Sequence, residues 1–151
     1  MTTQQTPQSE LDSSLGFNLA RAALLFRREL LRVLAEDGLQ PEQWQVLLAL
    51  GTAAEPLTQQ QIAELILADK HAVSRMLARM ERDGWVERLP DPDDARSQRV
   101  VLTPKASTRR PQLIKIVRGH FAGLLTAIPD SKRIELVRLL RQLRVVLRDS
   151  L

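Results

Sequence analysis

The stretch from Thr58 to Gly84 constrains the fold of this chain more than any other. Thr58-Gln-Gln-Gln61 has capping-box spacing: the Thr58 hydroxyl can accept from a free main-chain N–H while Gln61 reaches back to the cap. The helix it opens carries Ile62, Ala63, Leu65 and Ile66. After Ala68-Asp69 a second helix is predicted from Lys70 to Asp83, stopped at Gly84. Two short helices joined by a turn of about three residues make a helix-turn-helix.

On a wheel of about 100° per residue, Val73, Met76, Leu77 and Met80 share one face of the second helix, the core face. His71, Ser74, Arg75, Ala78 and Arg82 gather about the opposite pole. Arginine can bond guanine O6 and N7 in the major groove, serine and histidine can bond base edges or phosphates, and Ala78 permits close approach. A few exposed arginines are ordinarily a solvated face. Their place on the second helix of a capped pair turns the reading toward duplex DNA. The charge distribution agrees: residues 1–69 hold 4 basic and 9 acidic side chains, residues 70–118 hold 12 and 6, and residues 119–151 hold 6 and 3. A positive block in mid-chain is the footprint of a polyanion-binding surface.

Trp85-Val-Glu-Arg-Leu89 and Ser97-Gln-Arg-Val-Val-Leu-Thr103 are β-prone runs flanking Pro90-Asp-Pro-Asp-Asp-Ala-Arg96, a hairpin with a polar tip. Arg96 at that tip, with Arg99 three residues on, can reach a neighbouring minor groove, where narrow A·T tracts attract arginine. Asp91, Asp93 and Asp94 argue against a purely electrostatic wing. Asp94 is expected to orient an arginine by ion pairing, although a plain acidic turn has the same sequence.

The flanks are helical. From Leu15 to about Glu36, Leu19, Ala23, Phe26, Leu30 and Leu34 form a stripe that Ala22, Leu25 and Val33 widen beyond one core contact, as in helices that bury a second face in another subunit. Gly38 stops this helix, and Pro41 suits the first turn of the next, which runs through Trp44 to Gly51. Near the C-terminus, helices are predicted from Gln112 to about Ile128 and from Ser131 to Asp149, separated by Pro129-Asp130.

The absence of cysteine excludes a disulfide scaffold and a thiolate metal site. No apolar run approaches the ~20 residues that span a bilayer, so no membrane partner is expected. The first residues, MTTQQTPQSELDSS, lack the basic and apolar regions of a signal peptide, and a cytoplasmic protein is expected. Catalysis has little support, with neither a Gly-rich phosphate loop nor His-Glu metal spacing, and no cofactor is expected. An adaptor that binds a protein through the same helix would show apolar anchors where this one shows Arg75 and Ser74.

Leu57-Thr-Gln-Gln-Gln-Ile-Ala-Glu-Leu65, the run from Val73-Ser-Arg75 through Met80-Glu-Arg-Asp-Gly-Trp-Val-Glu-Arg88, and Pro92-Asp-Asp-Ala-Arg96 followed by Leu102-Thr-Pro-Lys105 together resemble the multiple-antibiotic-resistance regulator (MarR) family of winged-helix transcription factors. The resemblance covers residues 15–150. It implies a mostly α fold with a small β-hairpin wing, a winged helix-turn-helix flanked by N- and C-terminal dimerisation helices. The expected organisation is a disordered tail over 1–14, a dimerisation helix over 15–37, the DNA-binding domain over 41–105 and dimerisation helices over 106–150. It further implies a homodimeric repressor of a pseudo-palindromic operator, released by a small aromatic or phenolic effector. A regulator without any ligand would have the same sequence features.

The DNA-contacting set is expected to be Thr58, Gln60, Lys70, His71, Ser74, Arg75, Arg79, Arg82, Arg96 and Arg99, with Asp94 supporting the wing. Ser74 and Arg75 resemble the family's base- and phosphate-contacting pair, and Arg96 its wing-tip arginine. Trp44 and His120 are candidate effector contacts. Two departures from the family stand out. Ala106 replaces the usual Gly after Leu-Thr-x-Lys, and Pro111 falls where the family begins a long helix, predicting a break near Arg110.

Overall fold

A computed structural model describes residues 7–149 and 151. Along them run α1 (Pro7–Ser13), α2 (Leu15–Leu34), a 3-10 turn (Ala35–Asp37), α3 (Pro41–Leu50), β1 (Leu57–Thr58), α4 (Gln59–Leu65), α5 (Lys70–Arg82), β2 (Val86–Pro90), β3 (Gln98–Leu102), α6 (Pro104–Leu124) and α7 (Asp130–Val146). The fold is mostly helical with a small antiparallel sheet. The chain divides into two compact units, residues 1–41 and 42–151.

In the first unit, the Ser14 hydroxyl accepts from the N–H of Phe17 and caps α2. Gly38, at φ 66, takes the left-handed conformation that ends the following 3-10 turn. Leu30 and Leu34 are buried, whereas Leu15, Leu24, Leu25 and Phe26 are exposed. The expectation of a disordered tail over 1–14 is corrected for residues 7–13, which are helical. Residues 1–6 lie outside the described residues.

The second unit holds the helix-turn-helix. Both halves of the capping box are present: Thr58 Oγ1 accepts from Gln61 N–H at 3.1 Å and Gln61 Oε1 accepts from Thr58 N–H at 2.8 Å. Asp69 caps α5, its Oδ1 accepting from the N–H groups of His71 and Ala72, both at 2.9 Å. Between these helices Leu67, at φ 51, occupies the left-handed position usually taken by glycine, and Ala68 N–H closes back on Ala63 O at 3.0 Å. Ile62, Val73, Leu77, Met80, Trp85, Val86 and Val100 are all buried.

The wing strands pair from Val86 with Leu102 out to Pro90 with Gln98. The sheet nevertheless has three strands, in the order β1-β3-β2, because Leu57 and Thr58 pair with Val100 and Arg99. Two residues are too few to show alternation, so this strand is invisible in the sequence.

Pro111 does not break the C-terminal region. α6 starts at Pro104, eight positions before the predicted Gln112, and runs through Pro111 to Leu124. Thr103 supplies the cap, its Oγ1 accepting from Ala106 N–H at 3.1 Å, and Pro104 stands where no intrahelical N–H is needed. An interior proline deletes one i to i−4 bond, here the one to Ser107, and both residues are exposed to water. Ala106 sits inside this first turn and is fully buried, so the missing glycine leaves no strained position.

Candidate nucleic-acid interface

α5 has two unlike faces. Val73, Leu77 and Met80 are buried and Met76 half-buried, as the wheel predicts. Lys70, His71, Arg75, Arg79 and Arg82 are exposed, with Ser74 and Ala78 half-buried between them. None of the four cations is ion-paired among the described residues. The Asp69 carboxyl at the helix start is held below its ordinary range, chiefly by the N–H of Ala72, then by those of His71 and the charge of Arg75.

This helix is tied to the wing. Arg88 of β2 places Nη2 2.8 Å and Nε 3.1 Å from Glu81 Oε2, and its own N–H reaches Glu81 Oε1 at 3.3 Å. The Arg88 contacts hold the Glu81 carboxyl below its usual value. At the wing tip, Asp91 Oδ1 accepts from Asp93 N–H at 3.0 Å and from Arg99 Nε at 3.1 Å, while Arg99 Nη2 donates to Asp93 at 2.9 Å. The Asp93 N–H, ahead of Arg99, draws the Asp91 carboxyl below its normal range despite its burial.

The geometry gives two of the expected residues partners within the wing. Arg99, expected to meet DNA, is turned into the wing, where it also lies 4.0 Å from Glu55. Among the described residues, Asp94 makes no ion pair with an arginine. Instead its Oδ1 accepts from the Arg96 N–H at 2.9 Å, so it shapes the turn that presents Arg96. Arg96 itself is exposed at the tip.

The remaining predicted residues are dispersed. Thr58 is occupied by its cap, and Gln60 Nε2 donates to Glu64 at 3.1 Å on the exposed side of α4. Trp44 is buried and lines a cavity of about 770 Å³ with Leu48, Leu65, Ile114, Val117 and Arg118. His120 is not among the lining residues. It packs edge-on against Phe121, ring centres 5.4 Å apart. Sequence reasoning missed Asp69, Glu81–Arg88 and Asp91–Arg99. An Asp directly before a helical run is a readable cap signal, but the two ion pairs need the hairpin to be folded before they exist.

Residues 37–97 match the MarR family profile. Along 143 residues the chain is 31% identical to TtmR, an HTH-type transcriptional regulator of Methylorubrum extorquens, covering 95% of this chain and 71% of TtmR. The chain belongs to the MarR family. It is also 33% identical over 96 residues to BadR of Rhodopseudomonas palustris, a transcriptional activatory protein. That match covers 62% of this chain, and it spans about half of BadR, 55% of its length. The solved structure of the transcriptional repressor CouR bound to a 23-mer DNA duplex superposes with a TM-score of 0.83 at 29% identity, covering 92% of this chain and 98% of that one. MarR proteins are DNA-binding transcription regulators of the winged helix-turn-helix type and not enzymes. No helix among the described residues is long and apolar enough to cross a membrane.

Proposed function

We propose that this MarR-family regulator acts as a homodimer on a pseudo-palindromic operator, with α5 of each copy in the major groove. The carrying observation is the outward face of α5, where exposed cations without ion-pair partners among the described residues surround Ser74 and Ala78, while the inward face is packed core. Ser74 and Arg75, with His71, read base edges. Lys70, Arg79 and Arg82 meet phosphates, joined by Thr58 and Gln60 at the start of α4, and supply the salt-dependent part of the affinity. Arg96 enters the flanking minor groove, carried by the Asp94 turn. The apolar side chains exposed on α2 and on α7 are what a second copy covers. Half-sites then lie about one helical turn, ~10 bp, apart.

The mode of action is repression, as for the DNA-bound CouR that the chain resembles. An aromatic or phenolic effector fits the cavity beside Trp44 and acts by favouring one of two dimer conformations. Selection of genomic DNA fragments at physiological salt, by wild type and by an Arg75→Ala, Arg96→Ala double variant, tests the DNA reading. A palindrome enriched by wild type alone supports it. Equal retention of DNA by both, without sequence preference, defeats it.

A further inference from the structure

Helix α6 carries two cations that end in main-chain carbonyls of the winged helix instead of on carboxylates. Arg110 donates from Nε to Leu47 O at 3.0 Å and from Nη2 to Leu48 O at 3.2 Å, at the C-terminal end of α3. Lys105 Nζ donates to Asp83 O at 2.9 Å, at the C-terminal end of α5, and lies 4.6 Å from the Trp85 ring centre. The adjacent Thr103 hydroxyl donates to Gly84 O at 2.6 Å. A helix C-terminus leaves carbonyls unpaired and carries partial negative charge, so it is a natural seat for a cation. The seat for Arg110 is made by Gly51: a Cβ there would overlap Arg110 Nε and Cζ. The planar guanidinium fork spans two successive carbonyls, which a single ammonium group cannot do.

We infer that Arg110, seated against Gly51, is a positioning residue that fixes the winged helix on α6 and thereby sets the half-site spacing the dimer accepts, with Lys105 holding α5 in the same way. The inference rests on the reading of the chain as a dimer bridging two half-sites. Gly51→Ala displaces the guanidinium while keeping its charge, so it separates position from electrostatics.

The test uses the full chain and a library in which two selected half-sites are separated by different numbers of base pairs. Wild type, Gly51→Ala, Arg110→Ala, Arg110→Lys and Lys105→Met are compared, with thermal melts and salt titrations in parallel. Wild type is expected to prefer one spacing sharply. Gly51→Ala and Arg110→Ala should each cut that preference by about fivefold or more, a typical coupling between separated groups. Base preference within each half-site should persist, and Arg110→Lys should restore part of the spacing preference. Lys105→Met should flatten it without lowering the salt slope, whereas loss of a phosphate contact lowers the slope by ~0.9. Should a variant at Arg110 fail to fold, Gly51→Ala decides alone. Wild-type spacing ratios in Gly51→Ala and the folded Arg110 variants, with affinity lost equally at all spacings, overturn the inference and leave the proposed function standing. Failure of wild type to select any palindrome overturns both.

Discussion

Helices α5 and α7 are both amphipathic, and they end in opposite states. α5 buries Val73, Leu77 and Met80 within its own chain, and its outward face is polar. α7 buries none of its side chains, leaving Ile134, Val137, Leu139 and Leu140 exposed together with Val145 and Val146. Water-exposed apolar surface on that scale marks an interaction site more often than a solvated face. One helix is completed by the fold of a single chain, and the other keeps its apolar face open to water.

Four variants and one titration sharpen or break that contrast. The largest effect is expected in α5: Leu77→Ala should cost about 2–5 kcal/mol of stability in denaturant unfolding, because a fully buried leucine leaves a cavity. A loss no greater than that of a surface change would show that α5 is not the keystone of the core. Val137→Asp with Leu140→Asp in α7 should halve the mass seen by sedimentation while the helical content of the chain persists. An unchanged dimer would place the interface elsewhere, and a chain that is already monomeric as wild type would remove the homodimer. On DNA, Arg75→Ala should weaken the best site by about 1–3 kcal/mol and relax its sequence preference, read by competition binding. Retained preference would take Arg75 out of base reading.

The smallest effect concerns the wing. Asp91 titrates below its ordinary 3.8, so its contribution is complete above that value and is lost as pH falls through the lower folded value. Hydrogen exchange at the wing amides should therefore quicken on acidification, with the α5 amides holding longer. Asp91→Asn should bring faster wing exchange to neutral pH, and wing amides that remain protected in this variant would show that the Asp91–Arg99 contact does not hold the tip.

Legibility in the sequence followed range along the chain. The cap at Thr58 and the stop at Gly38 act between residues a turn apart. The two faces of α5 follow from its periodicity alone, which is why its outward residues are nameable one by one. The local rule for Pro111 predicts a break, and packing outweighs it: Thr103 and Pro104 start α6 well upstream, and buried Ala106 and Leu113 bracket the proline. Arg99 and Arg96 look alike in sequence, three residues apart on one basic wing. Only the folded hairpin turns the first onto Asp91 and Asp93 and leaves the second at the exposed tip.

Propensity, capping and periodicity within a few residues therefore set the helix-turn-helix, the wing and the polarity of the outward α5 face, all legible from the chain alone. Tertiary structure decided which cations face outward, which short segment became a third strand, and where Arg110 comes to rest. Its carbonyl partners lie 63 and 62 positions away. Contacts at that separation depend on how the chain returns upon itself, and no local pattern encodes the return.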